Sequence, residues 1–139
     1  MRAYVAAVAS GIVRRAISIR QTATMADLFV YGTLKRSCLN ARRMRGAKLL
    51  GDDEAADGFR LISLGSFPTM VASEDDGAAV KGELWRVTAH HLQALDHFES
   101  VHTGMFQRRE VILRSGMPAQ AYFFRGSVAG FPTVPGGAW

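Results

Sequence analysis

The chain has 139 residues and a formal net charge of +5, with 48% hydrophobic and 21% charged residues, a length that suits one domain with one hydrophobic core. A single cysteine, Cys38, excludes an internal disulfide framework or thiolate metal cage and fits a reducing compartment. No apolar run approaches the roughly 18 residues that a membrane span requires.

Residues 1–24 hold four arginines and no acid, and so account for all but one of the net positive charges. That Arg-, Ala- and Ser-rich composition reads as a targeting-like leader or an over-extended start ahead of Met25, and the stretch is set apart from the fold. The remainder is close to neutral. Its basic groups at 35–36 and 42–45 read as solvated faces, so no nucleic-acid partner is expected.

The apolar run Leu28–Tyr31 reads as a buried strand, broken at once by "GTLKRS". Residues 39–45 favour a short helix with Leu39 and Met44 inward, and "AKLLG" leads to an acidic turn, "DDEAADG". "FRLISLG" at 59–65 alternates as a strand, and Pro68 restricts 66–71 to an edge or bend. "AAVKGELWRV", 78–87, is the clearest strand, with Gly82 marking a bulge or a close backbone approach. Thr88 reads as the N-cap of a helix carrying Leu92 and Leu95 and ending near Ser100. Two strands, 106–113 and 119–126, flank the turn "RSGMP". The Gly- and Pro-rich tail 127–139 reads as a loop or loosely held lid. About seven extended segments with two helices predict an α+β domain over 25–126 whose core is a small, curved, mostly antiparallel sheet or barrel. Neither GxGxxG nor GxxxxGK[ST] occurs, so a doubly wound nucleotide fold is not expected.

One carboxylate sits against the pattern. On a helical wheel with Leu92 at zero, Leu95 falls at about 300° and Glu99 at about 340°, inside the apolar stripe. A charge there is costly unless partnered. The alternative is a helix that stops at His97 or Phe98, leaving Glu99 to turn to solvent or to pair with Arg108 or Arg109. The four histidines show no metal-ligand spacing and read as surface residues. Glu83 is a second possible acid, although a solvated strand carboxylate paired with Arg or Lys across the sheet explains it better. Cys38 reads as a small packing residue.

Taken in order, "VYGTLKR", "FPTMV", "VKGELWRV", "LDHFES" and "FQRREV" resemble the γ-glutamylcyclotransferase-like (AIG2-like) proteins over about residues 27–125, and look most like their γ-glutamylaminecyclotransferase branch. The resemblance implies a small mostly antiparallel β-barrel flanked by short helices, with a pocket at one end. It implies that Tyr31, Gly32, Thr33 and Leu34 bind substrate through turn N–H groups, a placement suited to an α-carboxylate or a developing oxyanion. It also implies that Glu99 is the general acid/base in an intramolecular attack of a substrate α-amine on its own γ-glutamyl carbonyl, releasing 5-oxoproline and a free amine. A pKa above the ordinary carboxylate value would suit both of its roles. No metal or organic cofactor is implied. The expected partner is a small γ-glutamyl amine or peptide, and the expected compartment is the cytoplasm, or an organelle if 1–24 is a transit segment. A non-catalytic member of the fold that binds a small metabolite or a protein is the other reading.

Overall fold

A computed structural model describes residues 25–74 and 77–139; the expectation for 1–24 lies outside the described residues. Five strands, β1 (Met25–Val30), β2 (Lys48–Glu54), β5 (Lys81–Thr88), β6 (Phe106–Ile112) and β7 (Pro118–Phe124), form one sheet in the order β2-β5-β1-β7-β6. A hairpin of β3 (Phe59–Ser63) and β4 (Pro68–Ala72) forms a second. The pairings are antiparallel except β1 with β7, which is parallel.

Strand β1 is central because both of its faces are apolar. Its period of two sends Phe29, followed by Tyr31 beyond the strand end, into one core cluster and Leu28 and Val30 into the other. The first cluster includes Leu61 and Met70 of the hairpin. The second includes Leu92 and Leu95 of the α-helix α1 (Ala89–Phe98), and Met44, buried on a 3₁₀ turn over Ala41–Met44. Thr88 caps α1 as its side-chain oxygen accepts from His91 N–H at 3.0 Å. Gly82 is a close approach: a Cβ there would lie 2.4 Å from the carbonyl oxygen of Val30. The register shift falls instead on β2, between Leu49 and Gly51.

The α+β class holds, but the sheet does not close into a barrel. Its edge strands meet only past their ends, at an isolated Ala55–Leu113 bridge flanked by Ala56 N–H to Ile112 carbonyl at 3.1 Å and Arg114 N–H to Glu54 carbonyl at 2.7 Å. Three local expectations also change. The acidic segment 52–54 is strand, not turn, pairing Asp52 with Glu83 and Glu54 with Lys81. As an edge strand β2 can carry charge, and it anchors Arg36 through Asp52 and Arg114 through Glu54. Leu39 does not turn inward: it is 81% exposed. Nor is the tail loose, since Ser63 N–H donates to Pro132, Val134 N–H donates to Leu61, and Lys35 Nζ donates to the Trp139 carbonyl.

Candidate active site

The strand-ending turn is the first component. Gly32 carbonyl accepts from Lys35 N–H at 3.1 Å, and Asn40 fastens the turn from outside, its N–H to the Thr33 carbonyl at 2.8 Å and its Nδ2 to Thr33 Oγ1 at 3.0 Å. Among the described residues, the N–H groups of Gly32, Thr33 and Leu34 have no acceptor in the protein. Successive free N–H groups of this kind suit an anionic oxygen. The need for glycine at 32 is steric rather than conformational. Its backbone lies outside the left-handed region, and an added Cβ would stand 3.0 Å from Cδ and Cγ of the Pro68 ring.

The second component is the C-terminus of α1. The helix ends at Phe98 with Glu99 as its C-cap, and Ser100 follows in the left-handed region at φ 56°. Val101 N–H reaches back to the Asp96 carbonyl at 3.0 Å and Ser100 N–H to the His97 carbonyl at 3.1 Å, the paired bonds of a Schellman closure. The chain thus leaves the helix one residue after Glu99, and the carboxylate stays on the side of Leu92 and Leu95 without being packed beneath them. It neither points into bulk water nor pairs with Arg108 or Arg109: among the described residues its carboxylate makes no hydrogen bond or ion pair. Burial pushes its pKa up to about 7, opposed by the charge of Arg43.

Both components line one cavity of about 240 Å³. Tyr31, Gly32, Thr33, Leu34 and Glu99 all contribute to its wall, so the structure brings the five residues together. They do not contribute alike. The Tyr31 hydroxyl is already committed, donating to the Tyr122 carbonyl and accepting from Met70 N–H at 3.2 Å, so its side chain pins β7 to the hairpin. Burial raises its pKa to about 12. Leu34 is a core residue of the helix-side cluster.

Tyr122 also lines the cavity, and sequence reasoning did not single it out. Its hydroxyl donates to Asp96 Oδ1 at 2.7 Å. Asp96 in turn takes a fork from Arg108, Nε at 2.8 Å and Nη2 at 3.0 Å. Burial, followed by the Asp96 contact, holds the Tyr122 phenol far above its ordinary pKa, so the hydroxyl remains a donor at any working pH. No local spacing announces this network, whose members come from α1, β6 and β7.

Glu83 belongs elsewhere. It is buried at 6% exposure, and accepts from Arg36 N–H at 3.0 Å, Arg36 Nε at 2.9 Å and Trp85 Nε1 at 3.1 Å. It is a satisfied structural carboxylate, not a solvated one, and it ties the far end of the Gly32 turn to β5. Among the described residues no group of three or more His, Cys, Asp or Glu side chains is arranged to hold a metal ion. Among them, too, no helix is long and apolar enough to cross a membrane.

A family model described as gamma-glutamyl cyclotransferase, AIG2-like, matches residues 28–139. The chain is 31% identical over 112 residues to the gamma-glutamylcyclotransferase family protein YtfP of Escherichia coli K12, covering 81% of this chain and 94% of that one. Two solved structures share the fold. An AIG2-like protein from Mus musculus superposes with a TM-score of 0.71 at 24% identity, covering 83% of this chain and 88% of that one. The uropathogenic E. coli protein c4763 does so with a TM-score of 0.72 at 22% identity, covering 84% and 93%.

Proposed function

The chain belongs to the gamma-glutamyl cyclotransferase, AIG2-like family, and from that premise we propose that it is a γ-glutamylamine cyclotransferase that releases 5-oxoproline and a free amine. The observation that carries the reading is the meeting, in one cavity wall, of the Glu99 carboxylate and the Gly32, Thr33 and Leu34 N–H groups, none of which has a hydrogen-bond partner among the described residues.

The chemistry follows from those two components. A substrate enters with its α-amine as an ammonium. Glu99, ionised above its raised pKa, accepts one proton from that nitrogen. The freed amine attacks the γ-carbonyl carbon, forming the ring C–N bond while the carbonyl electrons move onto oxygen. The N–H groups of Gly32 to Leu34 serve the negative oxygen of the glutamyl unit, as fixed dipoles that need no reorganisation during the reaction. Glu99 returns its proton to the original amide nitrogen and then accepts the second proton of the ring nitrogen, so that collapse breaks the bond to the original amide nitrogen and leaves a neutral lactam. The departing amine takes up that second proton and leaves as an ammonium. Proton count and charge balance without any added reactant. Because the attack is intramolecular, holding the glutamyl chain folded supplies much of the roughly 7–11 kcal/mol available from proximity. A carboxyl with a pKa near the working pH is suited to both directions of transfer. The cytoplasm is the compartment in which we place this reaction.

Incubation of the protein with γ-glutamyl-ε-lysine and other γ-glutamyl amines, followed by chromatographic detection of 5-oxoproline, tests the reading. Turnover by the native chain that is lost in Glu99→Gln supports it. Silence across the panel, with ligand-induced thermal stabilisation, identifies a non-catalytic binder instead.

A further inference from the structure

The lining of the cavity is uneven in a way that bears on which amine leaves. Among the described residues, Glu99 is the single charged one that forms the wall. Around it the wall is built from Phe67, Phe98, Phe106, Leu39 and Met105, and two of these stand open to solvent at the mouth: Leu39 at 81% exposure and Met105 at 45%. An isolated exposed leucine is ordinary. Two exposed apolar side chains bordering the same opening, each attached to one of the two chemical components, are not scattered.

Leu39 directly precedes Asn40, whose backbone and side chain are both bonded to Thr33. Its position is therefore set relative to the turn N–H groups. Met105 is held to the loop beyond Glu99 by its N–H bond to the Ser100 carbonyl at 3.2 Å, and it accepts from Arg125 N–H through its own carbonyl at 3.0 Å. Behind them Phe67 packs against Phe106 with ring centroids 5.7 Å apart, and Phe98 is covered by the Arg43 guanidinium at 3.8 Å from its centroid. Arg43 is not among the wall residues, and among the described residues the wall holds no cation to receive a carboxylate on the leaving group.

Ring closure folds the glutamyl unit onto itself, so the substituent on the departing nitrogen is the part of the substrate that extends through the mouth. We propose that this enzyme selects γ-glutamyl amides whose leaving amine carries an uncharged, apolar alkyl or arylalkyl group, with Leu39 and Met105 as the residues that set this specificity. The inference rests on the cyclotransferase reading given above and narrows its substrate class. A lysine side chain as leaving group brings an ammonium and a carboxylate to an apolar rim where, among the described residues, the carboxylate meets no cation and the ammonium meets only the Glu99 carboxylate that the reaction itself uses; an alkyl chain of the same length loses only water.

The test is a series of γ-glutamyl methylamide, ethylamide and butylamide, with γ-glutamyl-ε-lysine as the charged substrate matched in chain length to the butylamide, each followed by 5-oxoproline release. We expect kcat/KM to rise about fourfold for each added methylene, and the butylamide to exceed the lysine isopeptide at least tenfold. The Leu39→Ser/Met105→Ser double variant flattens the alkyl series; both side chains are exposed, so the fold is retained and circular dichroism verifies it. Turnover with no dependence on alkyl length, or with the lysine isopeptide preferred, overturns the apolar-amine assignment and leaves the cyclotransferase reading standing. No 5-oxoproline from any member overturns the cyclotransferase reading and this assignment together.

Discussion

The hydroxyl of Tyr122 donates to Asp96 Oδ1 at 2.7 Å, three residues before Glu99 on the same helix. Asp96 simultaneously holds Arg108 of β6 by a two-point fork, so one carboxylate ties the end of α1 to two strands. A hydrogen bond to a charged group contributes roughly 1.5–3 kcal/mol. Tyr122→Phe should therefore destabilise by about 2 kcal/mol and Asp96→Asn by somewhat more, because the latter also weakens the Arg108 fork. The two changes share a partner and should not add. A double-mutant cycle in urea is expected to give a coupling of about 1–2 kcal/mol, and strict additivity would show that the contact contributes nothing.

Glu99 makes stability depend on pH in an unusual direction. Its folded pKa, about 7, is above the ordinary carboxylate value of 4.5, so the folded state binds the proton more tightly than the unfolded chain does. Between pH 4.5 and 7 the native state therefore holds more protons, and stability falls as pH rises through that window. The penalty of ionising the folded carboxyl is on the order of 3 kcal/mol above pH 7. Glu99→Gln should melt higher than the native chain at pH 8, and the gap should close below pH 5. A constant gap at both pH values would mean that the carboxyl is not desolvated. Turnover in the same variant should drop by a factor of 10² to 10⁴, the range for losing a positioned acid/base.

The parts of this molecule that are legible in the sequence are those written locally. Leu28 to Val30 announce a strand because three adjacent apolar residues need two buried faces, and Thr88 announces a helix start through its own side chain. Glu99 is legible only in part, since its spacing from Leu92 and Leu95 places it on the apolar side if the last turn keeps helical geometry, and the helix end at Phe98 is not fixed by that spacing. What could not be read depends on residues far apart. The strand character of Asp52 to Glu54 comes from pairing with β5, about thirty residues on. The order in the tail comes from pairing with β3, and the open sheet reflects edge strands that diverge except at Ala55 and Leu113. Leu39 misled because a leucine on a short turn has the same pattern whether it meets a core or the mouth of a cavity. The Tyr122, Asp96 and Arg108 network spans three elements, and no spacing in any one of them encodes it.

The reaction's pH dependence follows from the same carboxyl. As the acceptor of the first proton Glu99 must be ionised, so kcat/KM should climb as pH passes through about 7 and then level off. The charge of Arg43 favours the ionised form. Arg43→Ala should therefore move the rising limb to higher pH, as should high salt, because Arg43 is exposed and screened. A limb that stays in place in Arg43→Ala, or that descends through pH 7, would assign the ionisation to another group.

Gly32 and Pro68 test whether the substrate turn depends on close packing. A Cβ at position 32 would stand 3.0 Å from two atoms of the proline ring, tighter than ordinary contact, and Pro68 opens β4, on the hairpin that is pinned by Tyr31. Relief requires either the ring or the turn to move. The turn is fixed at Thr33 by Asn40, so the strain should spread into the backbone of the turn residues that line the cavity. Gly32→Ala should cost about 1–3 kcal/mol of stability, the usual range for overpacking, and should raise KM and lower kcat together, because it displaces N–H groups that serve the negative oxygen while leaving Glu99 untouched. Pro68→Ala removes the obstructing ring atoms, and in the Gly32→Ala background it should recover most of the lost stability and part of the lost affinity. If Gly32→Ala is as stable as the native chain, the packing against Pro68 is not the reason for glycine. If the second substitution deepens the loss, the ring is supporting the turn rather than crowding it.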